Sequence, residues 1–400
     1  LEEHGVARDE RGQDRLMRHQ QREVPRRDRR ADAERRVAQD ARDALVLAGD
    51  IGGTKTNLAL YDWTTERVEP VRLESFHSAD YKSLEEILDE FLTPPAPPRA
   101  LEELEQAQVG DTHEEAAPPA EPVKLAAACF GVAGPVIDNH SHTTNLPWVV
   151  DGSTIAKRFD IPRVQLLNDL ESTAYGILML RPDEVEVLNA GTPPKKRQAL
   201  ALIAAGTGLG EAILFWDGKT YRPMASEGGH ADFAPNNDNE IELLRYLRGQ
   251  YLHVSYERVL SGPGLHAIYE YLRDTKKNEP TWLAEKIKAG NPAAEIAEAG
   301  LKGQADIAKQ ALDLFASIYG AEAGNLALKA LSLDGVYVGG GIAPKLIKKL
   351  QDGTFMKAFT NKGRYKRLLS TMPVKVVMNQ HTALLGAASV AAALAQAGSR

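Results

Sequence analysis

The sequence predicts an α/β protein of two domains, and three observations carry that reading. Short apolar runs alternate with stretches of helical periodicity over most of the chain, the pattern of strands feeding helices. The length of 400 residues suits about two domains. Two apolar runs, at 45–62 and 200–218, each enter a glycine-rich turn and leave through a second apolar run. A strand–turn–strand unit therefore occurs once in each half.

Residues 1–43 differ in kind from the rest. They are rich in arginine without a single lysine, carry nearly as many acids, and start at Leu1. Such a segment lacks the apolar content to join a core, so it is expected to be a disordered arm or a non-native extension. Its interleaved acids nearly cancel its positive charge and argue against nucleic-acid binding.

The first unit reads LVLAGDIGGTKTNLALYD, Leu45–Asp62. A buried strand delivers Asp50, Gly52 and Gly53, with Thr54, Lys55 and Thr56 adding donors, and a second strand follows at Asn57–Tyr61. Glycines there permit close approach to a ligand such as phosphate. The pattern is not a Walker loop, and an ordinary hairpin is the competing reading. Proline-rich ends bracket an acidic stretch at 93–123, expected to be a surface insertion or loop. The strand Val164–Leu167 delivers Asn168 and Asp169 to the start of a helix. Asp169 is then either a helix cap or a general base held by a rigid strand end. The second unit, LALIAAGTGLGEAILFWDG, repeats the plan around Gly206, Thr207 and Gly208. The third glycine turn is Gly339, Gly340 and Gly341, with Pro344 placed for the first turn of a following helix. Bare backbone at a helix start suits ribose or phosphate, and a plain strand–helix connection is the alternative.

Composition excludes several classes. A net charge of −7 gives no reason to expect nucleic-acid or anionic-membrane binding. The one cysteine, Cys129, excludes an internal disulfide and a multi-cysteine metal site, and its apolar surroundings suggest a packed thiol. The apolar, alanine-rich tail 383–397 is too short to span a bilayer. A cytoplasmic location is expected.

The order of these motifs resembles the actin-like ATPase and sugar-kinase superfamily, and more closely the bacterial-type glucokinase family. The matching stretches are GDIGGTKTNLAL, LLNDLESTAYG, AAGTGLGEA, SEGGHADFAP, ERVLSGPGL and YVGGGIAPK, spread over about residues 44–397. The resemblance implies an actin-like (RNase H-like) fold with a small α/β domain, 44–167, and a large one, 168–382. The helix 383–397 would return to the small domain. It also implies ATP-dependent phosphorylation of the glucose 6-hydroxyl with Mg²⁺, within glycolysis, by a homodimer. Asp169 would be the base. Asn168, Glu227, His230 and Glu257 would bind the sugar, with Asn145 and Trp148 as further candidates. Gly49, Asp50, Ile51, Gly52, Gly53 and Thr54, with Gly206, Thr207 and Gly208, would meet the phosphates. Gly339, Gly340 and Gly341 would border adenosine, and Asp50 would hold magnesium through water. Related ROK proteins place a histidine beside a zinc-binding cysteine cluster, absent here, so zinc is not expected. A kinase for another hexose or an amino sugar keeps every motif and remains open. So does a non-catalytic actin-like ATPase or regulator, although both Asp50 and Asp169 are present.

Overall fold

The computed structural model describes residues 45–64, 69–93, 123–143, 146–276 and 278–398. Expectations for 1–43, for nearly all of the 93–123 insertion and for Asn145 lie outside the described residues.

Strands β1 (Leu45–Ile51), β2 (Lys55–Tyr61), β3 (Pro70–His77), β4 (Leu125–Val132) and β8 (Val164–Asn168) form one sheet, in the order β3-β2-β1-β4-β8. β1 and β2 are an antiparallel hairpin, whereas β4 and β8 run parallel to β1. The apolar run of β1 is nearly continuous because both of its faces are covered. Leu47 and Ile51 face the helix α1 (Leu84–Leu92), while Val46 and Ala48 face the C-terminal alanine-rich helix Thr382–Gly398. Cys129 of β4 is fully buried in this second layer. Trp148, a candidate sugar contact, is instead core: it is 2% exposed and its Nε1 donates to the Tyr81 carbonyl.

A small sheet of β5 (Val136–Ile137), β6 (His140–His142) and β7 (Val149–Asp151) lies along the chain between β4 and β8. Before β6, Asn139 covers the outer side of β8. Its amide donates to the Val164 carbonyl and its oxygen accepts from Leu166 N–H. An edge strand is thereby satisfied by a side chain rather than left open.

The second large sheet repeats the plan. β10 (Leu200–Ala205), β11 (Leu209–Trp216) and β12 (Tyr221–Ser226) are antiparallel, and β13 (Gly335–Gly339) and β14 (Val374–Val377) lie parallel to β10. The antiparallel β9 (Val185–Asn189) closes the order β12-β11-β10-β13-β14-β9. Along β10, Ala201, Ile203 and Ala205 face one core and Leu200 and Leu202 the other, the period of two expected of a strand buried on both faces.

The helix α2 (Asp169–Gly176) sits between the two sheets. Its Ala174 packs with Leu200, Leu202 and Leu214 of the second sheet. Its Ser172 hydroxyl donates to the Ala383 carbonyl of the C-terminal helix, which itself lies on β1 and β4. The start of α2 is therefore held where the two sheets meet. Ala44–Arg400 cluster as one compact unit.

Candidate active site

Asp50 lies one residue before the end of β1, opposite Gly131 on β4 and Asn57 on β2. One position further along β4, Val132 is opposite Asn168, the last residue of β8. Asp50 and Asp169 therefore stand at the carboxyl ends of parallel strands with β4 between them, where open α/β sheets bind ligands. Asn57 Nδ2 donates to Asp50 Oδ2 at 3.4 Å, and Ser75 of β3 donates to Asn57 Oδ1 at 2.7 Å. That second bond fixes which end of the amide faces the carboxylate. Burial and then the charge of Asp169 push the Asp50 carboxyl up to about 6, against the opposing Asn57 bond and Lys55 charge.

The cap of α2 is Asn168, not Asp169. Asn168 Oδ1 accepts from Leu170 and Glu171 N–H, and its Nδ2 donates to the Gly134 carbonyl. Asp169 Oδ1 also accepts from Leu170 N–H, at 2.8 Å. Its surface reaches solvent, but the protein crowded around it raises its carboxyl above the ordinary 3.8, and the Glu227 charge adds to this. Because the Asn168 side chain already satisfies the helix start, Asp169 is left spare for another task.

The Glu227 segment belongs to the second sheet. Glu227 precedes a single 3-10 turn, Gly228–His230, and both Glu227 and His230 are exposed. The chain then pairs with the stretch that carries Glu257: Tyr256 N–H donates to Ala231 O and Phe233 N–H to Val254 O. Glu257 is not a solvated helix charge. It lies in a 3-10 turn, Tyr256–Arg258, and Oε2 accepts from Leu209 N–H at 3.0 Å, in the second glycine turn. A Cβ at Gly208 would sit 2.5 Å from that oxygen, so only glycine lets the carboxylate approach. Ser261 holds the arrangement by donating to the Glu257 carbonyl and accepting from Gly264 N–H, while Gly262 N–H donates to Gly206 O. The stretch ERVLSGPGL thus folds back onto the glycine turn.

The third turn lies beside the second because β13 runs parallel to β10, with Gly339 opposite Ala204. The buried Tyr319 hydroxyl, near Ala205 N–H and the Gly339 carbonyl at 3.3 Å each, ties the two strand ends together. The expected helix directly after the glycines does not form. Residues 340–346 are successive turns, and the helix Ile347–Leu350 starts beyond Pro344. Ile342 N–H is drawn to the Ala205 carbonyl instead. Gly340 has φ +80°, and a Cβ there would lie 2.2 Å from the Ala205 oxygen. Gly340→Ala is expected to destabilise the protein by about 1–3 kcal/mol or more, read as a lower melting temperature. An unchanged melting temperature would show that the turn relaxes freely.

Of the first motif, Gly49 and Ile51 are paired within the sheet on both sides, so Gly52, Gly53 and Thr54 are the part outside the ladder. Three residues escape a reading of the sequence. Ser78 donates to the Gly52 carbonyl at 2.8 Å through its hydroxyl and to the Thr54 carbonyl through its N–H, which pins the turn. Asn57 could have been found, since hairpin register alone sets it across from Asp50. Ser78 and Tyr319 carry no local signal.

Two sheets of the same plan, each ending in a glycine turn beside a carboxylate-bearing helix or turn, define a kinase of the actin-like ATPase fold. The glucokinase family model matches residues 47–394. A glucokinase of Synechocystis sp. is 42% identical over 361 residues, covering 86% of this chain and 97% of its own. One from Nostoc sp. is 39% identical over 365 residues, covering 88% and 99%. The crystal structure of a glucokinase from an Antarctic psychrotroph superposes with a TM-score of 0.70 at 28% identity, covering 87% of this chain and 98% of the other. The chain belongs to the glucokinase family, whose members are ATP-dependent hexose kinases.

Proposed function

We propose that this chain transfers the γ-phosphoryl group of ATP to the 6-hydroxyl of glucose, giving glucose 6-phosphate and ADP for glycolysis. The observation that carries the reading is the position of Asp169. Its charge reaches Asp50, beside the first glycine turn, and the charge of Glu227 reaches it in turn. A base between a phosphate-holding turn and a hydroxyl-reading segment is what phosphoryl transfer to a sugar needs. The test is purified protein with ATP, magnesium and a panel of hexoses and amino sugars, followed by ADP release. Turnover of another sugar in preference to glucose would overturn the assignment.

In this reading Asp169 accepts the proton of the 6-hydroxyl. Asn168 has spent its oxygen and one N–H on structure, and its amide also steadies the Asp169 carboxylate, so a sugar hydroxyl would share its second N–H with the base. Glu227, His230 and Glu257 receive the other hydroxyls. In the turns Gly52–Thr54 and Gly206–Gly208, the Gly52 and Gly206 N–H groups donate to Lys55 O and Gly208 O, so Gly53, Thr54, Thr207 and Gly208 offer backbone N–H groups to phosphate, and Gly339–Gly341 border adenosine. The sugar site then joins residues from both sheets, so sugar binding draws the proposed domains 44–167 and 168–382 together and excludes water. The C-terminal helix counts with the first of these. Homodimerisation and a cytoplasmic setting complete the proposal. No helix among the described residues is long and apolar enough to cross a membrane.

Asp50 suits magnesium by its chemistry. A buried carboxylate whose proton affinity a second carboxylate raises invites a cation, and Mg²⁺ fills its remaining positions with water and phosphate oxygens. Bound there, it would neutralise charge on the β- and γ-phosphates. Because the Asp50 carboxyl titrates at about 6, magnesium affinity should weaken as pH falls through that value, when the proton competes for the carboxylate. Magnesium titration across pH measures this, and a constant affinity would remove Asp50 from the role. Zinc chelators should leave activity intact; stoichiometric zinc in active protein would contradict the reading.

A further inference from the structure

Two carboxylic side chains are buried directly beneath the proposed sugar-binding segment, outside the mechanism above. Glu211, on β11, is 2% exposed, and Glu322, on the helix Asp306–Ala330, is 0% exposed. Each has an Oε1 atom shut from solvent with no hydrogen-bond partner. Their environments differ. Glu322 Oε2 accepts from Asn325 Nδ2 at 2.8 Å, and Lys329 Nζ stands 3.6 Å from its Oε1. The Asn325 amide also donates to the Tyr256 hydroxyl, and its oxygen accepts from Lys362 Nζ. Glu211 faces Glu322, and Lys329 is the cation whose charge reaches it.

Two adjacent buried anions would repel at high cost, whereas one proton between them satisfies both orphan oxygens. We propose that Glu211 is a protonated positioning residue that donates to ionised Glu322 and so holds the Glu227–His230 segment in its sugar-binding form. The geometry links the acid to that segment twice. The Glu211 carbonyl accepts from Ser226 Oγ at 2.7 Å, and Gly228 N–H donates to the same hydroxyl at 3.3 Å. A Cβ on Gly228 would fall 2.3 Å from Glu211 Oε2, so the carboxyl lies against the backbone between Glu227 and His230. The charged or titratable groups around the pair are Glu322, Lys329 and Tyr319 on the long helix, Lys362 through Asn325, Tyr256, and Glu227 and His230 above.

Burial first, then the Glu322 charge, push the Glu211 carboxyl up to about 8, while Lys329 opposes this. Above that pH the proton passes to solvent, leaving a second buried anion that is drawn toward water past Gly228. The ordinary value is 4.5, so the folded protein keeps a proton that the unfolded chain has lost between 4.5 and about 8. Stability from this group is fully present below 4.5 and is lost as pH rises through that window.

The role rests on the sugar reading, and the experiments separate the two. Wild-type glucose KM should rise about fivefold or more between roughly pH 7 and 9, with kcat changing less. Glu211→Gln, whose amide donates to Glu322 as the acid does, should flatten that rise and melt higher than wild type by a margin that opens above pH 4.5 and is complete by about 8. Glu211→Ala, which has no donor, should show a raised KM at every pH, so the conservative variant rescues what alanine loses. Infrared difference spectra of wild type minus Glu211→Gln should show a protonated carboxyl band at neutral pH that disappears on the alkaline side. Should Glu211→Gln fail to fold, Glu322→Gln removes the facing anion but not the burial, and the band should then disappear at a lower pH than in wild type. Absence of the band in wild type, or a KM in Glu211→Gln that follows the wild-type pH curve, would overturn the proposal. If the band is present but Glu227→Ala leaves glucose KM unchanged, the sugar reading fails and the positioning role with it.

Discussion

Asp169→Asn is expected to lower the rate of phosphoryl transfer by about 10²–10⁴ while glucose still binds. The substitution keeps the shape of the side chain and an oxygen to accept from Leu170 N–H, a contact of 2.8 Å. The cap of α2 survives, because Asn168 supplies it. What disappears is the basic oxygen that takes the hydroxyl proton in the proposed mechanism. Single-turnover rates beside calorimetric glucose binding separate the two effects. Burial and Glu227 raise the Asp169 carboxyl above 3.8, so the wild-type rate should fall on the acid side as the base takes up a proton. The residual rate of the variant should lack that limb. Turnover close to wild type would sink the assignment.

Glu257→Ala should raise the glucose KM by about tenfold or more, the loss expected when a hydrogen bond to a charged group worth roughly 1.5–3 kcal/mol is removed. From sequence, the effect would fall on the sugar. The bond from Leu209 N–H to Glu257 Oε2 adds a second consequence, because the same carboxylate braces the Gly206–Gly210 turn. The ATP KM should therefore rise as well. Glu257→Gln separates the contributions: its amide oxygen still accepts from Leu209 N–H and should restore the ATP KM. The charge is gone, so the glucose KM should recover only in part. A glucose KM unchanged in the alanine variant would confine Glu257 to bracing the turn.

Much of the fold is legible in the sequence because its signals are local. An apolar run entering glycines and leaving through another apolar run specifies a hairpin whatever lies around it, and β1–β2 and β10–β11 form at the predicted places. The strand before Asn168 and the helix after it are legible for the same reason. The helix expected at Pro344 starts only at Ile347, after the turns 340–346, in which Ile342 N–H reaches the distant Ala205 carbonyl. Trp148 is ambiguous in sequence, and packing among the apolar side chains beside the first sheet makes it core.

The sequence by itself determined which residues sit at strand ends and turns, since backbone preference and the period of two act over a few neighbours. It therefore placed Asp50, Asp169 and the glycines on their elements. Only the tertiary structure decided how these elements face one another. Parallel pairing through β4 brings Asp50 and Asn168 to the same edge, and packing of α2 between the sheets brings Asp169 toward Glu227. The same packing gives Glu257 its partner on Leu209 and buries Glu211 beside Glu322. Charge coupling and desolvation depend on distance in space, which the order of residues along a chain does not contain.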